Sequence, residues 1–234
     1  MNAKRTSLIL TTCLGLFAAP AAKAAEMLAL VDANFNTSTT RVASYPPDSG
    51  VRFTEMAPGF SGWATGGQIR LTQNPGYGVD QTGGIFVEIL KAPNAKFYQI
   101  MFQRLKFTML GAGAVIRDPI RSLQFSIDAK IPAGKEILVY VAIDPPKEYL
   151  AASPWSTRLV LGKIVGTDAF KSYVLKSSDI PEATVDTFIN FIRELQANGM
   201  DQTVGSLVLH LEPTQWVEGD GLVFDNVKLE IAAR

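Results

Sequence analysis

Cysteine and histidine are almost missing from this chain of 234 residues, which has one of each, Cys13 and His210. A single cysteine excludes an intrachain disulfide framework and a thiolate metal cluster. A single histidine excludes a multi-histidine metal site, and any Ser-His-Asp or Cys-His arrangement has only His210 to build on. An excess of either charge is missing too. The 22 Lys and Arg balance 22 Asp and Glu, which argues against a sequence-independent grip on nucleic acid. No apolar run reaches the roughly 18–20 residues of a bilayer span. There is no phosphate-cradling Gly-x-x-x-x-Gly-Lys loop and no Gly-x-Ser-x-Gly, and Gly111-Ala-Gly113 lacks the third glycine and following helix of a dinucleotide fingerprint. What is there is 47% apolar residues, enough for a full core.

The first segment reads as a leader. Lys4 and Arg5 precede an apolar run from Leu8 to Ala19, then Pro20 and the small-residue tripeptide Ala22-Lys23-Ala24, the layout of a signal peptide with cleavage near Ala24. The expected organisation is therefore a signal peptide over 1–24 and a single domain over 25–234, exported to the periplasm or beyond. Cys13 leaves with the leader, so the mature chain is expected to have no cysteine. Loss of Lys4, Arg5 and Lys23 leaves 19 positive against 22 negative residues, which makes a polyanionic partner still less suitable.

The remainder shows strand periodicity nearly throughout. Leu123, Phe125, Ile127 and Ala129 alternate with Gln124, Ser126, Asp128 and Lys130, the pattern of a half-buried strand. Ile137–Ile143 is apolar on both faces and reads as a central strand, joined to its predecessor through Pro132-Ala133-Gly134 as a hairpin. Further strands are expected over Gly84–Leu90, Tyr98–Phe107, Thr157–Val165, Phe170–Leu175, Ser206–Leu211 and Gly221–Ile231, each bounded by turn residues. One helix interrupts them, near 180–197. Asp179 is placed to cap it, with Pro181 in the first turn, Glu182 three residues after the cap, and Val185, Phe188, Ile192 and Leu195 along one stripe. That stripe suits the closing of one end of a core; a protein partner docking on the helix is the other reading.

Several stretches together resemble carbohydrate-binding modules of the galactose-binding-like jelly-roll type, the kind attached to xylanases and cellulases. They are the opening Leu30-Val-Asp-Ala-Asn-Phe-Asn36 followed by Gly62-Trp63, the strand Gly83–Leu90, the strands Tyr98–Gln103 and Leu123–Lys130, and the ending Gly221–Leu229 with Asp225-Asn226-Val227. The resemblance implies an all-β jelly-roll sandwich with one inserted helix, binding a polysaccharide or glycan. It also implies a structural calcium at Asp225 with the acid of the opening motif, a place held here by the neutral Asn36. Independently of the family, the break in alternation at Asp225-Asn226 suggests a bulge, and calcium requires hard oxygen donors of this kind.

Sugar rings stack on flat aromatic faces while amides and charged groups pair with their hydroxyls. The candidates are Trp63 and Tyr77, in a Gly-rich stretch that also contains Gln68 and Arg70 and so suits one wall of a loop-built cleft, and Trp155 in Ser-Pro-Trp-Ser. For each aromatic, covering the edge of the core is the competing role. Trp216, just before the last strand, reads as a lid on the core. A glycoside hydrolase or lyase is the rival class, since Glu55, Glu88, Glu212 and Glu218 are available. Yet no compact pair of acids stands out, with Glu55, Glu212 and Glu218 expected near loops. His210, flanked by Leu209 and Leu211 in a strand, is expected to point away from those leucines, at the surface or between sheets. A structural or adhesive surface component that binds protein is the third reading.

Overall fold

The computed structural model describes residues 27–44, 63–66, 69–90, 100–106, 120–144, 158–197 and 206–232. The leader and the segment holding Trp155 lie outside these residues, as does Gln68. The strands are β1 (Met27–Ala33), β2 (Arg41–Ser44), β3 (Trp63–Gly66), β4 (Ile69–Gln73), β5 (Ile85–Ile89), β6 (Ile100–Lys106), β7 (Leu123–Lys130), β8 (Glu136–Asp144), β9 (Arg158–Val165), β10 (Phe170–Lys176), β11 (Ser206–Thr214) and β12 (Gly221–Ala232), with helix α1 (Glu182–Ala197) between β10 and β11. They form two antiparallel sheets. The seven-stranded one runs β10-β7-β12-β5-β4-β2, with β1 also on β12, and the five-stranded one runs β3-β6-β11-β8-β9. From β5 onward the chain repeatedly changes sheet: β6, β8, β9 and β11 lie in one, β7, β10 and β12 in the other. This is the sandwich that the strand pattern suggested, with the jelly-roll form that the resemblance implied.

One expectation is corrected. β7 and β8 are not a hairpin: β7 pairs with β10 and β12, and β8 with β11 and β9. Phe125, Ile127 and Ala129 of β7 and Ile137, Val139 and Val141 of β8 enter the same core cluster from opposite layers. Alternation shows which face of a strand is apolar, but not whether its sequence neighbour lies beside it or across the core. The turn between them closes with the Lys135 N–H donating to the Pro132 carbonyl at 3.1 Å, and Gly134 supplies its positive φ of 75°.

α1 closes one end of the core against β9. Val185, Phe188, Ile189 and Ile192 are all buried in the core cluster, so the apolar stripe is used within the chain. Burying each such side chain contributes roughly 1.5–3 kcal/mol. The cap differs from expectation. Asp179 ends a 3-10 turn over Ser177–Asp179, and the Pro181 carbonyl, not the Asp179 side chain, begins the helical bonding by accepting from Val185 N–H at 3.3 Å. Arg121 pairs with both Glu182 and Asp186 on the first turns.

The anticipated bulge is present. The β12–β7 register shifts between Asp225 and Lys228, and Asn226 has a φ of 46°. Trp216 is buried, 3% exposed, and its indole N–H donates to the Glu136 carbonyl at 2.7 Å, as expected of a lid.

Candidate functional site

On the five-stranded sheet, Leu207, Leu209 and Leu211 of β11 face the core, which sends Val208, His210 and Glu212 to the outer face. Register sets His210 beside Tyr140 of β8, and the next strand, β9, begins at Arg158 opposite Ala142. Arg158 stands two residues from Val160, the β9 partner of Tyr140, and so on the same face of its strand. The result is a cross-strand stack. The His210 and Tyr140 rings lie 4.4 Å apart and 7° from parallel, and the Arg158 guanidinium carbon lies 4.6 Å from the Tyr140 centroid. Glu212 closes the group: it accepts from the Tyr140 hydroxyl and pairs with Arg158 at 3.5 Å. Glu212 is thus a strand residue and not a loop one.

These outward side chains are as enclosed as the core. His210 is 0% exposed, Tyr140 3% and Glu212 4%, whereas the Arg158 side chain retains 36%. Arg158 is therefore the part of the network that meets solvent. Burial, and then the positive Arg158, push His210 down to about 3, so it is neutral. Burial, and then the Glu212 charge, push Tyr140 up. Burial raises Glu212, against the pull of Tyr140 and Arg158. The His210 shift has a consequence for stability. Its depressed folded value means that stability is fully present above the unfolded pKa near 6.5 and is lost as pH falls toward 3. Raised Glu212 acts in the opposite sense, losing stability as pH rises through its folded value. Across pH 6.5 to 4, His210→Gln is expected to flatten the acid loss of stability by up to about 1.4 kcal/mol per pH unit, measured by urea unfolding at each pH. Parallel curves for variant and wild type would count against a buried neutral histidine.

The anticipated ligand residues separate. Trp63 opens β3, the edge strand of the five-stranded sheet, and pairs with Gln103. Arg70 is on β4 of the other sheet, in a 2.8 Å ion pair with Glu88 of β5. Tyr77 is in the β4–β5 loop, its ring 6.0 Å from that of Phe86. Trp63 is thus on a strand of the five-stranded sheet, and Tyr77 is on a loop of the seven-stranded one.

Asp225 and Asn36 lie around the same loop. Asp225, 1% exposed, accepts from its neighbour Asn226 N–H at 2.8 Å and from Val79 N–H at 3.4 Å. Among the described residues no cation pairs with it. Burial pushes its carboxyl up, and the negative Asp80 and Asp128 add to this. A Cβ on Gly78 would sit 2.0 Å from the Gly83 carbonyl oxygen and 2.6 Å from Asp225 Oδ2, so this glycine, at φ 93°, preserves a tight approach of two oxygens. Thr82 Oγ1 lies 2.7 Å from Asn36 Oδ1 and 2.6 Å from Asp80 Oδ1, its single proton serving one of them, while the Thr82 N–H donates to Asp80 at 3.1 Å. Close by, Gln73 donates to the Phe35 carbonyl at 2.8 Å, leaving its buried Oε1 without a partner among the described residues. A buried, uncompensated carboxylate in an oxygen-lined loop fits a hard cation. No three acidic, His or Cys side chains converge among the described residues, so backbone and amide oxygens would have to complete the shell.

Fold and site define an antiparallel jelly-roll sandwich carrying a polar aromatic network on one outer face. No protein-family model matches the chain, and no curated protein does. Solved structures do. The CBM22-1 xylan-binding domain of Paenibacillus barcinonensis Xyn10C is similar over 92% of this chain and 99% of its own, at 11% identity and a TM-score of 0.48. The family 30 carbohydrate-binding module of the Clostridium thermocellum cellulosomal cellulase Cel9D-Cel44B is similar over 87% and 96%, at 10% identity and 0.43. A family 11 module from Clostridium thermocellum, solved with a β-1,3-1,4-mixed-linked tetrasaccharide, is similar over 82% and 96%, at 13% identity and 0.41. No helix among the described residues is long and apolar enough to cross a membrane.

Proposed function

We propose that the protein is an exported, non-catalytic polysaccharide-binding protein, and that the outer face of the five-stranded sheet, centred on Arg158, holds the glycan. The carrying observation is the Arg158–Tyr140–His210 stack tied to Glu212. Its guanidinium is held against a ring and a carboxylate, and the Arg158 side chain is 36% exposed. A fixed guanidinium beside a carboxylate offers donors and acceptors at the spacing of adjacent hydroxyls, with little entropy left to lose on binding. Arg158 and Glu212 cancel in charge, which suits a neutral chain such as a glucan or xylan. Affinity electrophoresis against soluble glucans, xylans and mannans tests this. Retardation in at least one gel, with no reducing sugar released, is the expected result; free migration in all of them would favour the surface-component reading, and sugar release the enzyme. Export is supported by the Lys4-Arg5 leader, and N-terminal sequencing of the secreted protein should begin near Ala25.

Calcium is proposed at Asp225, with the Gly83 carbonyl, the Gln73 amide oxygen and the Asn36 region as further donors. Bound there, it would neutralise the buried carboxylate and fix the β4–β5 loop. Free calcium at about 100 times its dissociation constant would add about 2.7 kcal/mol, raising the melting midpoint by roughly 5–10 °C. The Asp225→Asn variant should melt at one temperature with calcium or with a chelator. Wild-type melts indifferent to the chelator would remove the metal from the account.

A further inference from the structure

A second polar and aromatic site lies on the opposite side of the sandwich. On the outer face of the seven-stranded sheet, register aligns Val42, Thr72, Phe86, Val223, Lys130 and Phe170 across five adjacent pairs of strands. Within that row a depression of about 210 Å³ opens between Phe86, Val223, Gly221, Lys130, Pro132 and Asp168. Its shape depends on Gly221. A Cβ there would meet the Phe86 ring at 2.5 and 2.6 Å, so glycine is what lets the ring lie over β12. Tyr77 also lies against this ring, 6.0 Å away and tilted by 54°.

The rim carries one charge of each sign. Lys130 and Asp168 are both exposed, and they form no ion pair with each other or with any other described residue. Asp168 is held in a left-handed conformation, φ 63°, by its own side chain. Its Oδ1 accepts from Ala133 N–H at 3.0 Å, and its N–H donates to the Ile131 carbonyl at 2.9 Å. Aspartate adopts this conformation readily in a turn, and here it sets the direction of the side chain. The carboxylate is thereby fixed at the edge of the hollow with Oδ2 uncommitted among the described residues. An aromatic and aliphatic floor between an ammonium and a carboxylate suits a ring with one apolar C–H face and hydroxyls at its edge. The depression, about 210 Å³ and open to solvent, has room for one such ring.

We infer that this depression is a second carbohydrate subsite, taking a single neutral pyranose at a chain end, on the face opposite Arg158. Phe86 and Val223 meet the C–H face, Lys130 donates to a hydroxyl and Asp168 accepts from one. A protein with sites on both faces of a sandwich can hold two polysaccharide chains at once, so chain-end binding here adds avidity to the Arg158 face without new contacts there.

The test uses methyl-labelled mature protein titrated with methyl β-D-glucopyranoside and methyl β-D-xylopyranoside, with the Val223 methyl shifts followed by NMR. Saturable, millimolar shifts of Val223 with one of these glycosides are expected. Asp168→Asn keeps an oxygen for Ala133 and tolerates positive φ, so it should melt as wild type yet bind at least fivefold more weakly. Lys130→Ala should weaken binding to a similar degree. Arg158→Ala should leave these Val223 titrations unchanged, which separates this site from the one proposed on the other sheet. Linear, non-saturating shifts with both glycosides, or equal affinity in the Asp168 and Lys130 variants, would overturn the inference even if polysaccharide binding at Arg158 held.

Discussion

Arg158→Ala is expected to lower polysaccharide affinity about 10- to 100-fold, the loss of about one hydrogen bond from a charged donor at roughly 1.5–3 kcal/mol. The same change should leave the protein folded. Removing a guanidinium from a buried carboxylate ordinarily strands a charge. Here Glu212 is already raised by burial and can answer the loss by taking up a proton. Arg158→Lys is the sharper variant. It keeps the charge but gives up the plane that lies over Tyr140 and the fork that meets Glu212, so it should bind nearly as poorly as alanine. Calorimetric titration of the three proteins against one soluble glucan and one xylan measures this. Full affinity in the lysine variant would mean that only charge matters and that the stack has a purely structural role.

Phe224→Ala is expected to produce the largest change in stability, about 3–5 kcal/mol, or a fall of roughly 6–20 °C in melting midpoint for a chain of this size. Phe224 is 1% exposed on β12, the strand that pairs with β1, β5 and β7. Its ring packs edge-to-face with Phe35 at 5.3 Å and 84°. Phe35 itself stands at φ 53°, and its carbonyl accepts from Gln73. The pair therefore fastens the β1–β2 turn to the central strand, and its loss should also loosen the Asp225 loop. Thermal unfolding by circular dichroism gives the first effect, and a weaker calcium response in the same variant gives the second. A midpoint within 3 °C of wild type would show that the surrounding core collapses into the space.

The later strands and the helix were legible because each carries its own period. β7 alternates inside and outside residue by residue, and the α1 stripe from Val185 to Ile192 repeats at helical spacing. β2 and β3, four residues each, are too short for any period to show. The β7–β8 relation is not legible in either strand, since pairing partners are set by long-range packing. The Asp225-Asn226 bulge was visible as two polar residues in an apolar strand, and the structure shows why it persists: Asn226 Nδ2 donates to Asp128 Oδ2 at 2.8 Å across the strands.

The site was harder to read. Tyr140 lies within an apolar run and passes for core, and Arg158 stands at the start of its strand. The one local signal was His210 and Glu212 two residues apart, which puts both on one face of β11. That they meet Tyr140 and Arg158 depends on the register of three strands distant in sequence. Arg70 and Tyr77 were legible as polar and aromatic groups in a Gly-rich stretch, but their neighbours Glu88 and Phe86 come from β5 by pairing.

A crystal structure of the mature protein with a glucan or xylan tetrasaccharide tests the central claim most directly. The account predicts sugar hydroxyls within hydrogen-bonding distance of the Arg158 guanidinium, on the outer face of the five-stranded sheet, with Tyr140 still stacked beneath it. An oligosaccharide bound elsewhere, with Arg158 and Glu212 untouched, would contradict it.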